Sequence, residues 1–134
     1  MTRLILVLTL LAALIGLAVA EQVSVEKVYS KMKVETAAII ASVSETPEGE
    51  DKTEFNDYTK LRIDDLHKYW IKKERKLCII IKHIDLSYIS DALIYARNFV
   101  HFGNKEEAMA GLLRLEYLLD TYHAVYGLNG VNIL

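Results

Sequence analysis

Cysteine, proline and glycine are all scarce in this chain, and each scarcity excludes something. There is one Cys, Cys78, in 134 residues, so no internal disulfide can staple the fold and cysteine-based zinc motifs are ruled out. There is one Pro and there are six Gly, too few for an array of short strands joined by turns. Pro47 and Gly49 fall together in Glu45-Thr46-Pro47-Glu48-Gly49-Glu50-Asp51, the one obvious loop. Charge of one sign is also lacking. The 16 basic residues face 18 acidic ones, which gives no basis for nucleic-acid binding.

What the chain does have is an apolar start. Met1, Thr2 and Arg3 form a short positive head, and Leu4 to Ala20 carries no charge until Glu21 ends the run. The run closes on Ala18-Val19-Ala20, the small-x-small pattern cut by signal peptidase, with Gly16 just before it. As a helix it spans about 25 Å, at the lower limit for a hydrocarbon core of roughly 30 Å. Two fates are therefore open. The segment is a signal peptide cleaved after Ala20, or an uncleaved anchor. In both cases Arg3 stays inside and residues 21–134 form one exported domain. No Cys follows the run closely, so a lipoprotein anchor is excluded.

Long stretches without breakers, rich in Leu, Ile, Ala, Lys and Glu, predict an all-α fold, a small antiparallel bundle of about four helices after the apolar segment. Val25, Val28, Met32, Ile39 and Val43 form one stripe on a helix from about Val23 to Ser44. Ile63, Leu66, Trp70, Lys73, Leu77, Ile80 and Ile84 step by three and four, predicting a long second helix from Glu54 to Ile84. Asp85 is the expected N-cap of a third helix, Leu86 to Phe102, with Ile89, Leu93, Ala96 and Val100 inward and Ala92 and Phe99 beside them. Asn104 with Glu107 reads as a capping box opening a fourth, striped by Ala108, Leu112, Leu115, Leu119 and Tyr122 and ended by Gly127. The terminal Val-Asn-Ile-Leu is apolar enough to fold back on the bundle. Cys78 is expected at a helix interface.

The C-terminal half resembles a known family. Trp70 with Lys72-Lys73-Glu74, Ile79-Ile80-Ile81-Lys82-His83, the helix from Ile89 to Val100, and Asn104-Lys105-Glu106-Glu107-Ala108 carry the likeness. Leu115, Leu118-Leu119 and Asn132-Ile133-Leu134 complete it. Together they resemble the domain of unknown function 4363 family, small helical proteins of Firmicutes with an N-terminal membrane segment. The resemblance implies membrane anchoring, whereas Ala18-Val19-Ala20 implies cleavage. It implies no catalytic residues. Gly103 to Ala108 is also similar to the turn of a tetratricopeptide unit, but about three such units are needed to bury a face, so it reads as an ordinary helix-turn-helix.

Chemistry-bearing motifs are absent. His67, His83, His101 and His123 form no His-x-x-x-His or His-Glu-x-x-His pair. His83 is expected to help cap the junction near Asp85, and His123 to share a polar contact with Glu116. No nucleophile elbow, Ser-x-x-Lys or phosphate loop occurs. The expectation is no catalysis, no cofactor and no metal.

Charge segregation is the better lead. Glu45 to Asp57 holds six acidic residues and one Lys, whereas Lys60 to Lys82 holds eight basic residues against Asp64, Asp65 and Glu74. If helix two returns beside helix one, the acidic loop is distal. Lys72, Lys73, Arg75, Lys76 and Lys82 then approach the bilayer, with Tyr69 and Trp70 nearby. Basic side chains near anionic headgroups contribute about 1 kcal/mol each. The expected function is a non-catalytic binding or scaffold module on the outer face of the cytoplasmic membrane. It would meet a membrane protein or anionic lipid through this face or through Tyr58 and Tyr95. The alternative is a secreted bundle binding a small ligand or metal.

Overall fold

The computed structural model describes residues 1–127. Four helices carry them, with no strand: α1 (Thr2–Glu45), α2 (Asp57–Leu77), α3 (His83–Phe102) and α4 (Lys105–Tyr126). The expected all-α bundle of four helices is what forms. The expected folding back of the terminal Val-Asn-Ile-Leu lies outside the described residues.

Helix α1 begins much earlier than its apolar stripe required. The apolar segment and the first bundle helix are one helix of 44 residues, about 66 Å long. Gly16 stays helical within it. From Arg3 to Ala20 every side chain is exposed, and this stretch is long and apolar enough to cross a membrane. The second half buries Val25, Tyr29, Met32, Thr36, Ile39 and Val43, alternating steps of four and three that keep one seam turned inward, with Val28 beside it. Tyr29 and Thr36 join the expected stripe because the seam demands their positions, whatever their polarity. Pro47 ends the helix, since the residue before a proline is pushed to extended backbone. Thr46 accordingly has ψ 124°. The Lys105 ammonium donates to the free carbonyls of Ser44 and Thr46, completing the terminus.

Helix α2 is shorter at both ends than its heptads predicted. Asn56 caps it by accepting from the Thr59 N–H. At the other end the chain turns at Cys78–Ile80, and Ile81 replaces Ile80 and Ile84 as the buried plug. Ile63, Leu66, Trp70 and Leu77 are buried as expected, with Lys73 half-buried.

Asp85 is not the N-cap of α3. The helix opens three residues earlier, at His83 behind Lys82, and Asp85 lies in its first turn, where a carboxylate still favours the positive end of the helix. Gly103 stops α3 with φ 75° and receives the loop, since the Thr53 N–H donates to the Gly103 carbonyl at 2.8 Å. A Cβ at Gly103 would stand 2.7 Å from the Thr53 oxygen, so both the backbone angle and the docked loop require glycine. Asn104 caps α4 through the Glu107 N–H. The Glu107 carboxylate accepts from the Tyr95 hydroxyl. Gly127 ends α4 with extended backbone, its N–H donating to His123.

Each helix runs antiparallel to its two neighbours, α1 against α2 and α4, and α3 against α2 and α4. Cross-contacts give the register. Ser42 meets Thr59, Glu35 meets Arg62 at 2.8 Å, and Lys31 lies over the Tyr69 ring. The apolar segment therefore emerges from the end formed by the C-termini of α2 and α4 and the N-terminus of α3, here the proximal end. The acidic loop closes the distal end.

Candidate functional site

The last two turns of α2 descend towards the proximal end and present most of the expected residues. Lys72, Arg75 and Lys76 are exposed, as is Lys82 beyond the turn, and none of the four forms an ion pair among the described residues. Cations there also complement the negative end of α2. Lys73 is half-buried, its ammonium 5.6 Å from the centre of the Tyr69 ring, over which Lys31 sits at 4.3 Å. Tyr69 is half-buried too, and burial raises its hydroxyl above the ordinary tyrosine value.

Trp70 does not belong to this face. It is 1% exposed, and its Nε1 donates to Ser90 Oγ at 2.7 Å. The heptad step that placed it on the seam of α2 turns it into the core, away from the basic residues beside it in sequence. Tyr69 instead lines a shallow groove of about 340 Å³ between α1 and α2, with Glu35, Tyr58, Leu61 and Arg62. Tyr58 is exposed, with the Arg62 guanidinium 5.2 Å from its ring centre. The exposed Tyr95 is tied down by Glu107.

Polar cross-links hold the proximal end together. Gln22 on α1 donates to the Tyr126 carbonyl, and the Tyr126 hydroxyl donates to Asp85 Oδ2 at 2.7 Å. Burial, then Asp85, raises both Tyr126 and Tyr122. One turn deeper, His123 Nε2 meets Glu26 Oε2 at 2.8 Å and its ring stacks on Tyr29. The partner of His123 is therefore Glu26 on another helix and not Glu116 on its own. Cys78 is exposed in the turn rather than seated at an interface, its Sγ 3.9 Å from His83 Nδ1. His83 makes no cap for α3.

Tyr29 is fully buried, and its hydroxyl finds no hydrogen-bond partner among the described residues. Burial raises its ionisation far above the ordinary 10.0, with Tyr126, Asp85 and Tyr122 adding to the effect. The neutral ring's contribution is whole below pH 10 and drains away as rising pH ionises the unfolded chain but not the fold. Tyr29→Phe is therefore expected to stabilise the bundle by about 1 kcal/mol at neutral pH, by removing an unsatisfied hydroxyl. It is also expected to flatten the loss of stability towards about pH 11. Thermal unfolding of both forms across that range checks this.

On the α2–α3 face, Asp64 Oδ1 accepts from Arg97 Nε at 2.5 Å and faces His101 Nε2 at 3.0 Å. Burial pushes this carboxyl up, but the hydrogen bonds from His101 and Arg97 and the Arg97 charge together hold it below the ordinary 3.8. His67 lies beside this group and is lowered by burial and by Arg97. A depressed carboxyl contributes stability above its unfolded value and loses it as pH falls through the folded one. Asp64→Asn should thus cost up to about 1 kcal/mol at neutral pH, the scale of a solvent-screened pair, and nothing once acid has protonated the carboxyl. Urea unfolding at neutral and strongly acidic pH measures the difference.

The four histidines do not converge. His67 and His101 flank Asp64, whereas His83 and His123 lie towards the proximal end. Among the described residues no group of three or more His, Cys, Asp or Glu is placed to hold a metal. The cross-links Glu26–His123, Asp64–Arg97–His101 and Gln22–Tyr126–Asp85 each join different helices. Only the pairing of helices, and no local spacing, could have disclosed them. No family model, curated protein or solved structure matches this chain.

Proposed function

We propose that this protein is an extracytoplasmic helical bundle held at the membrane by its own first helix, acting as a non-catalytic binding or scaffold module. The observation that carries this reading is the continuity of α1 from Thr2 to Glu45. One unbroken helix is both the apolar segment and a wall of the core, so the bundle is coupled rigidly to the segment. No proline interrupts it near Ala20, and a peptidase would have to unwind the helix to reach Ala18-Val19-Ala20. The resemblance to the domain of unknown function 4363 family supports the same reading, because its members carry an N-terminal membrane segment.

Retention would orient the bundle. The acidic loop would stand far from the bilayer, and Lys72, Arg75, Lys76 and Lys82 would stand close to it. A membrane-protein partner could be met by the Tyr58–Tyr69 groove on α1 and α2, which faces sideways from the anchor axis.

Thiol labelling of intact cells tests the topology. With Cys78→Ser and Asp51→Cys, an impermeant maleimide is expected to label the distal loop without permeabilisation, on protein that resists alkaline carbonate extraction. Labelling only after lysis places the bundle inside and defeats the reading. Labelled protein washed off by carbonate, or released to the medium, supports instead the secreted ligand- or metal-binding bundle.

A further inference from the structure

The proximal end carries apolar surface that folding does not explain. The run Leu77-Cys78-Ile79-Ile80-Ile81 joins α2 to α3. Leu77 and Ile81 are buried and close the core. The Ile80 and Ile81 N–H groups both donate to the Leu77 carbonyl, so the turn is pinned by its own backbone. Ile79 is then left 84% exposed, the most exposed large hydrophobic side chain described beyond Ala20, and Ile84 is 53% exposed. Ile80 is partly exposed beside them.

Position says what covers them. Gln22, the second residue past Ala20, is bonded to Tyr126, and Tyr126 is bonded to Asp85 in the first turn of α3. The isoleucine turn therefore sits level with the point where α1 leaves its apolar segment. Arg75 and Lys76 precede it and Lys82 follows it, all exposed and without ion pairs among the described residues. Apolar tips flanked by cations match the boundary between acyl chains and anionic headgroups. A soluble partner would have no reason to lie at that level.

We propose that the α2–α3 turn is a second membrane contact. Ile79, Ile80 and Ile84 enter the headgroup–acyl boundary of an anionic leaflet, while Arg75, Lys76 and Lys82 contact the phosphates. The inference rests on the retained anchor and adds to it a fixed tilt. Two contact points, the α1 segment and the turn, stop the bundle from swivelling about one helix.

The sole cysteine makes the test direct. The full chain, nitroxide-labelled on Cys78, is placed in nanodiscs of phosphatidylglycerol and phosphatidylcholine, and collisions with oxygen and with an aqueous nickel chelate are measured. The reference is the Cys78→Ser, Asp51→Cys chain labelled in the distal loop. The Cys78 label is expected to meet the chelate several-fold less, and oxygen more, than the loop label. Ile79→Asn with Ile84→Asn, two exposed positions, is expected to return it to water with helix content unchanged. Equal chelate access at both sites in chain that co-elutes with the discs overturns the second contact but leaves the anchor standing. A label hidden from both colliders indicates a protein contact and also overturns it. Failure of the anchored reading itself shows separately, as native protein that begins at Glu21.

Discussion

Truncating Trp70 to alanine is expected to cost about 3–5 kcal/mol of folding stability, the scale for removing a large buried aromatic side chain. The indole is 1% exposed between α2 and α3. Its Nε1 donates to Ser90 Oγ, which itself lies within hydrogen-bond reach of Glu74 and of the Leu86 carbonyl. The network spans both helices, so truncation leaves a cavity and removes the indole's bond, while the Ser90 hydroxyl keeps Glu74 and the Leu86 carbonyl. Trp70→Phe keeps much of the volume and loses the hydrogen bond, for an expected cost of about 1–2 kcal/mol. Urea unfolding followed by circular dichroism, on full chain in detergent micelles, measures both. A Trp70→Ala protein as stable as the parent would mean the indole lies outside the core, back on the lipid-facing surface that its neighbours suggested.

Gly111→Ala is expected to destabilise although helix propensity alone favours the change by up to about 1 kcal/mol. Gly111 lies inside α4, with the α3 backbone at Ala96 packed directly against it. A Cβ there would stand 2.9 Å from the Ala96 Cα and backbone N, and 2.9 Å from Tyr95 Cδ1. Tyr95 can swing aside, but Ala96 is backbone and its own side chain is already fully buried. The helices must separate, and overpacking of this kind costs about 1–3 kcal/mol, which outweighs the propensity gain. Thermal melts of the two proteins give the sign. A raised melting temperature would show that α3 and α4 are not held at this spacing.

Much of the fold was legible in the sequence because each helix carries a single apolar stripe. Val25 to Val43, Ile89 to Val100 and Ala108 to Leu119 all turned inward as their spacing required. Helix boundaries were less legible. The three consecutive isoleucines kept the α2 heptad pattern running past Leu77, yet the turn at Cys78–Ile80 breaks it, and Ile81 takes the buried position. Asp85 had the chemistry of a cap and lies in the first turn instead, bonded to Tyr126 on α4.

The candidate surface was legible as a charge pattern but not as a shape. Of the eight basic residues in that stretch, seven lie on α2 and Lys82 lies past its end, and antiparallel pairing carries the last of them to the proximal end. Sequence spacing could not separate the exposed Lys72, Arg75 and Lys76 from the buried Trp70 among them. Nor could it find the isoleucine turn, whose exposure depends on which of three identical residues plugs the core.

Attachment of the bundle to the membrane requires that α1 stay whole in the working protein. Intact-mass analysis of protein from its native membrane fraction tests it most directly. A polypeptide that retains the apolar residues from Leu4 to Ala20 is expected. A mass corresponding to Glu21 as the first residue would contradict it.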